Sequence, residues 1–385
     1  VAVVLFTLYA VPFWLLVRSL DYLEREPPLL LGSALAWGAL VATSTAISGG
    51  GALHDILAKV VSPQFSAEWG PALAAPAVEE IAKTLGLVAI ALVARAQVNS
   101  VLDGVVYGAM VGLGFQVVED VVYAVSAVGL AGGGDQIGPV VTTFFLRGFL
   151  AGLWSHTLFS ALAGAGIGYL FIRIDRPLWS RLGVGAGGLL GAWSCHFLWN
   201  SPLLADGFGY GGWGVLAGLV IKGAPPLVAI SLVVRAVRRR EGAYYAARLA
   251  ALDDPLIATP DEVRVLGVGR LRAQARRYAY AQAGRRASRA LGRLQSAQAR
   301  LAVALSRPEG ANSASSAGRS AEVDHWRDMV LALRGELVDA GHPCGVAPPE
   351  CRSAVWDWLN RLVATTAVVG AVAAVWAAIR ALGGG

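Results

Sequence analysis

The sequence predicts an all-α fold: a polytopic transmembrane helix bundle of about eight spans, with an α-helical cytoplasmic insertion before the last span. Three observations carry this expectation. Hydrophobic residues make up 56% of the 385 and charged residues only 15%, where soluble domains average about half and a quarter, so too little polar surface remains to face water. The charge is segregated, with long apolar runs in 1–236 and most of the arginines in 237–352, which implies two environments. The apolar runs also have the length a bilayer requires, roughly 20 residues for a hydrocarbon core of about 30 Å.

The spans are read at 1–20, 29–48, 71–94, 99–130, 138–172, 182–204 and 211–236, with an eighth from Leu362 to Ile379. All should be helical, because lipid offers no partner to an unpaired backbone group. The runs 99–130 and 138–172 exceed one span and are expected to tilt, extend past the bilayer or carry short turns. No A-x-A-like cleavage site follows the first run, which is read as a retained span. Three parts follow: a seven-span core at 1–236, a basic helical region at 237–352 and a C-terminal membrane anchor at 353–385.

Loop charge sets the expected orientation, since positive residues mark the cytoplasmic side. The odd loops carry Arg18 and Arg25, Arg95, then Arg173, Arg176 and Arg181, and finally Arg235 and Arg238–Arg240. Of the even loops, only the second has a positive residue, Lys59. The N-terminus is therefore expected outside and 237–352 in the cytoplasm. Small residues at four-residue spacing let helices approach closely in lipid. Gly104, Gly108 and Gly112, Gly164 and Gly168, and Gly183, Gly187 and Gly191 are read as such stripes.

Ionisable side chains inside the spans are costly, at about 3 kcal/mol each on insertion scales, and usually face a bundle interior. The third span holds Glu79, Glu80 and Lys83. The fourth holds Asp103, Glu119 and Asp120, the fifth Arg147 and His156, and the sixth His196 and Asn200. Residues four apart share a helix face, so Glu79 is expected to pair with Lys83. Glu80, turned about 100° away, is left to meet another helix. His196 and Asn200 share a face and can address one bound group. Arg147 is read as an interfacial anchor and the Asn99–Asp103–Tyr107 stripe as structural hydrogen bonding. Counting about 1.5 Å per residue, Glu79, Glu80 and Glu119 lie roughly 13 Å from the outer ends of their spans. Four helices thus bring carboxylates, imidazoles and an amide to one level.

Such a set suits hydrolysis. A carboxylate can take a proton from water, a histidine can orient that water or protonate a leaving amine, and an imidazole with an amide can hold an oxyanion. The same histidines with a glutamate can instead hold a zinc ion that acidifies water. No HExxH motif is present, and the residues leave the metal and metal-free versions both open. A non-enzymatic protein, a proton-coupled transporter or a degenerate scaffold, would also bury such groups. The paired broken helices of many transporters are not found here.

Four segments, PAVEEIAKTL (76–85), LDGVVYGAMVGLGFQVVEDVVY (102–123), RGFLAGLWSHTLFSALAGAGIGY (147–169) and HFLWN (196–200), resemble in order the motifs of the PrsW family of bacterial intramembrane proteases, related to the CAAX prenyl-protease superfamily. Asp120 stands where that family more often has asparagine. The resemblance covers roughly 1–236. It implies a multi-pass endopeptidase of the bacterial cytoplasmic (inner) membrane, cleaving single-span regulatory proteins such as anti-sigma factors near the outer side. It further implies that Glu79 or Glu80 activates water with His156, and that His196 and Asn200 stabilise the oxyanion. Lys83 would hold a glutamate charged, and Glu119 would support the site or bind metal with His156 and His196, zinc being the metal in question.

In the basic region, 241–306 is read as helices broken at 253–255 and at 259–262, where TPDE forms an N-cap with an acidic first turn. Ten arginines and no acids occur between Arg264 and Arg300, a pattern suited to anionic headgroups of the cytoplasmic leaflet. No nucleic-acid-binding motif is present, so nucleic acid is not an expected partner. Residues 307–321 are read as a flexible linker before a helix at about 322–340. Cys195 is read as a packed small residue. His342, Cys344 and Cys351 together do not fill a structural zinc site.

Overall fold

The computed structural model describes residues 1–20, 26–151, 156–306 and 313–342. The expected eighth span, Cys344 and Cys351 lie outside them. Among the described residues every regular element is helical. They form two compact units, one of 1–20 with 26–234 and one of 235–342.

The first unit contains α1 (Ala2–Leu20), α2 (Pro28–Ala36), α3 (Thr43–Val60), α4 (Pro63–Val93), α5 (Val101–Leu130), α6 (Ile137–Thr143), α7 (His156–Ile172), α8 (Leu178–Asn200) and the start of α9 (Gly211–Ala250). A π-helical segment, Trp37–Ala42, joins α2 to α3, and a second, Phe144–Ala151, continues α6. Four described stretches are long and apolar enough to cross a membrane: Ala2–Leu20, Pro28–Val60, Val101–Leu130 and Gly211–Ala250. Val3, Leu8, Leu15 and Leu16 of α1 stay exposed, as a lipid-facing helix requires. The expected 138–172 span is divided among α6, the π-helical segment and α7.

α5 is the axis of this unit. In lipid no hydrophobic force drives helices together, and close backbone packing takes its place. One stripe of α5 lies on α7: a Cβ at Gly104, Gly108 or Gly112 would stand 2.2–2.3 Å from the carbonyl oxygens of Gly164, Ser160 and His156. An adjoining face receives the Trp37–Ala42 segment, where a Cβ at Gly38 would meet the Val111 carbonyl at 1.9 Å. The expected Gly183, Gly187, Gly191 stripe meets nothing. The stripe two positions round, Gly185 and Gly188, faces Gly166 instead, at 2.8 Å between a Gly188 Cβ and the Gly166 Cα. Four-residue spacing alone does not say which side of a helix its neighbour takes.

Local sequence sets the helix starts near the site. Ser100 and Asp103 form a capping box for α5, with the Asp103 carboxylate accepting from the backbone N–H of Asn99 (2.7 Å) and Ser100 (2.8 Å). Tyr107 donates to buried Glu26. The Asn99–Asp103–Tyr107 stripe is thus structural. On α4, Trp37 Nε1 donates to the Ala82 carbonyl at 3.0 Å and its ring lies against Gly86.

The second unit packs the end of α9 with α10 (Pro260–Leu266), α11 (Gly269–Ser306) and α12 (Ser313–Asp339) around Leu249, Ile257, Leu266, Leu294, Leu301, Val330 and Leu337. Thr259 and Glu262 form the expected N-cap as a capping box. Buried Arg334 then ties Glu262 (2.5 Å) to the Ile257 carbonyl (3.1 Å). α11 turns at Ala283–Gly284, where Gly284 has φ 75°, a value glycine adopts without steric cost. The expected linker is shorter than read, because residues 313–321 already belong to α12; their alanines and serines suit a helix as well as a coil.

Adding one methyl at the α5–α7 seam tests this packing. Gly108→Ala should destabilise the detergent-solubilised protein by about 1–3 kcal/mol, the usual cost of overpacking. Gly129→Ala, with open space beside it, should leave the thermal melt unchanged.

Candidate active site

α4 turns Glu79, Glu80 and Lys83 inward, α5 brings Glu119, α7 opens with His156, and α8 ends with His196 and Asn200. Glu79, Glu80, Lys83, His156 and His196 are all buried. Pro76 loosens α4 one turn before Glu80, since it has no N–H for the Ala72 carbonyl. The carbonyl of nearby Pro71 takes Asn200 Nδ2 at 3.0 Å, which straps α8 to α4.

The side chains form one connected chain of hydrogen bonds. Arg147 Nη2 lies 2.6 Å from Glu119 Oε2, which is 3.0 Å from His156 Nε2. His156 Nδ1 is 3.0 Å from Lys83 Nζ, and Lys83 Nζ is 2.5 Å from Glu80 Oε1. Glu80 Oε1 is 2.8 Å from His196 Nδ1, and His196 Nε2 is 3.0 Å from Asn200 Nδ2.

The two ends fix the direction of every donor. A guanidinium only donates and a carbonyl only accepts. Glu119 therefore accepts from His156 Nε2–H, leaving His156 Nδ1 to accept from Lys83. Asn200 Nδ2, aimed at the Pro71 carbonyl, gives its other proton to His196 Nε2, so His196 Nδ1–H donates to Glu80. These tautomers are assigned from the hydrogen-bond partners. Both imidazoles are neutral in this arrangement, and each has a carboxylate behind it.

Their proton-free nitrogens, which accept from Lys83 and Asn200, also lie near Glu79, so an ion bound there would displace both donors. Glu79 Oε2 lies 3.8 Å from His156 Nδ1 and 3.9 Å from His196 Nε2, and has no hydrogen-bond partner although buried. Glu80 Oε2 is buried and unpartnered as well. One ligand atom each from Glu79, Glu80, His156 and His196 can be chosen so that all lie within 4.8 Å of one another. The set fits a metal ion. Ligand atoms at zinc distances of 2.0–2.2 Å in a tetrahedron stand about 3.4 Å apart, against 3.8 and 3.9 Å from Glu79 Oε2 to the two imidazoles and up to 4.8 Å across the four groups. The carboxylate behind each ring is the arrangement that orients metal-bound histidines. Apolar rings enclose the group: Phe115 lies 4.8 Å from His156 and 4.5 Å from the Lys83 ammonium, and Phe159 stacks on His196 at 5.3 Å.

The sequence-based candidates thus come together, with three differences. Lys83 makes the expected ion pair with Glu79 at 3.7 Å and a second, closer one with Glu80 at 2.5 Å, since three-residue neighbours meet on a helix as readily as four-residue ones. Glu119 sits behind His156 and outside the converging group. Arg147 is no interfacial anchor: besides Glu119 it binds Asp120 Oδ1 at 2.5 Å and lies over the Tyr123 ring at 3.8 Å. A charge in the interior of a 35-residue apolar run was the available signal for an internal partner. Lys222 was also missed; it donates to the Ser201 carbonyl at 2.6 Å, just beyond the end of α8.

Two carboxylates each with an oxygen that makes no hydrogen bond, two oriented imidazoles and a central ammonium, enclosed by apolar helices, form an arrangement suited to hydrolysis inside a membrane protein. The family profile described as PrsW family intramembrane metalloprotease matches residues 26–230, more than half of the chain and every residue named above; this chain belongs to that family. It is a membrane peptidase whose substrates are membrane proteins. None of the curated proteins and none of the solved structures matches it.

Removing one partner of a buried ion pair typically costs about 3–5 kcal/mol. Lys83→Met should therefore lower the melting temperature of the purified protein far more than Lys59→Met at the exposed last turn of α3, measured side by side.

Proposed function

We propose that this chain is a zinc-dependent intramembrane endopeptidase that cuts single-span regulatory proteins, anti-sigma-factor-like in kind, near the outer side of the bacterial inner membrane. The observation that carries the reading is the convergence of His156 Nδ1 and His196 Nε2 on the unpartnered Glu79 Oε2. Those three residues would hold the ion, and Glu119 supports the set from behind His156. When bound, zinc supplies acidified water and polarises the scissile carbonyl.

The protein's own groups supply the remaining chemistry. Glu80 Oε2, beside Glu79 on the same helix and without a partner, takes the proton of the attacking water and returns it to the leaving nitrogen. Lys83, bonded to Glu80 Oε1, keeps that carboxylate oriented. Asn200 Nδ2, which lies 3.0 Å from His196 Nε2, would donate to the negative charge developing on the carbonyl oxygen, while His196 keeps its one proton on Nδ1 toward Glu80. The surrounding Phe115 and Phe159 limit bulk water, which strengthens each of these interactions.

The loop charges support an N-terminus outside and 237–352 in the cytoplasm, and the depth count supports a site in the outer half of the bilayer. We also propose that the basic region rests on anionic headgroups. Arg270, Arg277, Arg285, Arg286 and Arg289 are exposed on α11, and each basic residue near such a surface is worth about 1 kcal/mol. The eighth span would return the chain to the membrane.

Co-expression of the wild type with candidate single-span substrates should release a shortened product, and Glu80→Gln or His156→Ala at matched protein level should reduce it at least about 100-fold. A zinc chelator should abolish cleavage by the purified enzyme, and added zinc should restore it. Cleavage that survives both substitutions would refute the assignment.

A further inference from the structure

Arg147 takes no part in the chemistry above, yet it holds the open edge of the cluster. Its side chain is 29% exposed and that of Glu119 19%, whereas Glu79, Glu80, Lys83, His156 and His196 are at 8% or less. The guanidinium comes from the π-helical segment Phe144–Ala151, and both carboxylates it grips belong to α5.

We propose that Arg147 is a positioning residue: by gripping Glu119 and Asp120 together it fixes Glu119 as the acceptor behind His156 and so dictates which His156 nitrogen faces the reaction centre. The geometry leaves one arrangement. Arg147 Nη2 donates to Glu119 Oε2 at 2.6 Å and Nε to Asp120 Oδ1 at 2.5 Å, with the plane of the group over Tyr123. Two acceptors and a ring hold the guanidinium at three points. The same Glu119 Oε2 is 3.0 Å from His156 Nε2. That oxygen cannot donate, so His156 must carry its proton on Nε2 and turn Nδ1 inward, where it lies 3.8 Å from Glu79 Oε2. Without the arginine, Glu119 is free to rotate toward the open edge, and the imidazole loses one of the two partners that select its tautomer, keeping only the Lys83 ammonium 3.0 Å from Nδ1.

The competing account is that Arg147 only pins its own segment to α5. That account expects a lower melting temperature for Arg147→Gln and an unchanged His156.

The test is ¹⁵N NMR of histidine-labelled full-length protein in lipid nanodiscs, with the His156 signals assigned by their loss in His156→Gln. The wild type should show one neutral tautomer, protonated at Nε2. Arg147→Gln should lose that single signature to an exchange-averaged pair of nitrogens, and Glu119→Ala should give the same spectrum. Arg147→Lys, which can reach one carboxylate but not bridge two, should give a mixture and keeps the test alive where Arg147→Gln does not fold. A wild-type His156 spectrum in any folded Arg147 variant overturns the proposal. In the cleavage assay, Arg147→Gln should lower kcat roughly 10–100-fold, the usual cost of losing an outer-shell partner, with KM within about threefold; a change confined to KM also overturns it. The inference takes His156 to belong to the hydrolytic site, but its NMR arm needs no substrate. A tautomer that follows Arg147 in a protein that cleaves nothing would refute the function and support this inference.

Discussion

The constraint on which this molecule turns is that charged groups placed inside an apolar bundle must find their partners there. Each ionisable side chain costs about 3 kcal/mol to insert on translocon-based scales, and water cannot compensate for one left unpaired. The chain meets this with an unbroken series of hydrogen bonds from Arg147 to the carbonyl of Pro71, drawn from α4, α5, α7, α8 and the segment after α6. Each member is satisfied by the next, so the arrangement is specified as a whole. Two oxygens, Glu79 Oε2 and Glu80 Oε2, stay outside the series. Buried polar atoms without hydrogen bonds are uncommon and call for an explanation; the proposed hydrolytic role of the two glutamates would supply one.

The helix packing serves that arrangement. His156 opens α7, and its own carbonyl is one of the points where α7 presses on α5, at Gly112. The glycine seam therefore sets the distance between His156 on one helix and Glu119 on the other. On the far side, Trp37 binds the Ala82 carbonyl beside Lys83, so the π-helical bend at 37–42 presses α4 against the same axis. Lys222 holds the carbonyl just past the end of α8, behind His196 and Asn200. Packing contacts remote from the carboxylates thus fix their geometry.

Much of this was legible in the sequence. Segregated charge and apolar runs gave the helical class and the position of most helices. The cost of buried charge singled out Glu79, Glu80, Lys83, Glu119, His156, His196 and Asn200, which the fold brings together. What could not be read was pairing across helices. A sequence gives the face of a side chain on its own helix but not the rotation of the neighbour, so the Glu79–Lys83 pair within α4 was legible, whereas the partners of Arg147 on α5, Glu119 and Asp120, were not. The Gly183 stripe failed for the same reason, since the neighbour of α8 lies on the Gly185 and Gly188 side. In the second unit the Thr259–Glu262 cap was plain from local sequence, whereas its long-range partner Arg334 was not.

The measurement that bears most directly on this account is zinc K-edge X-ray absorption on the full-length protein purified without chelator, with metal content measured on the same sample. The account predicts about one zinc per chain, bound by two imidazole nitrogens and carboxylate oxygen at 2.0–2.2 Å, and lost in His196→Ala. A protein that retains no stoichiometric zinc, or a spectrum dominated by sulfur at about 2.3 Å, would contradict it.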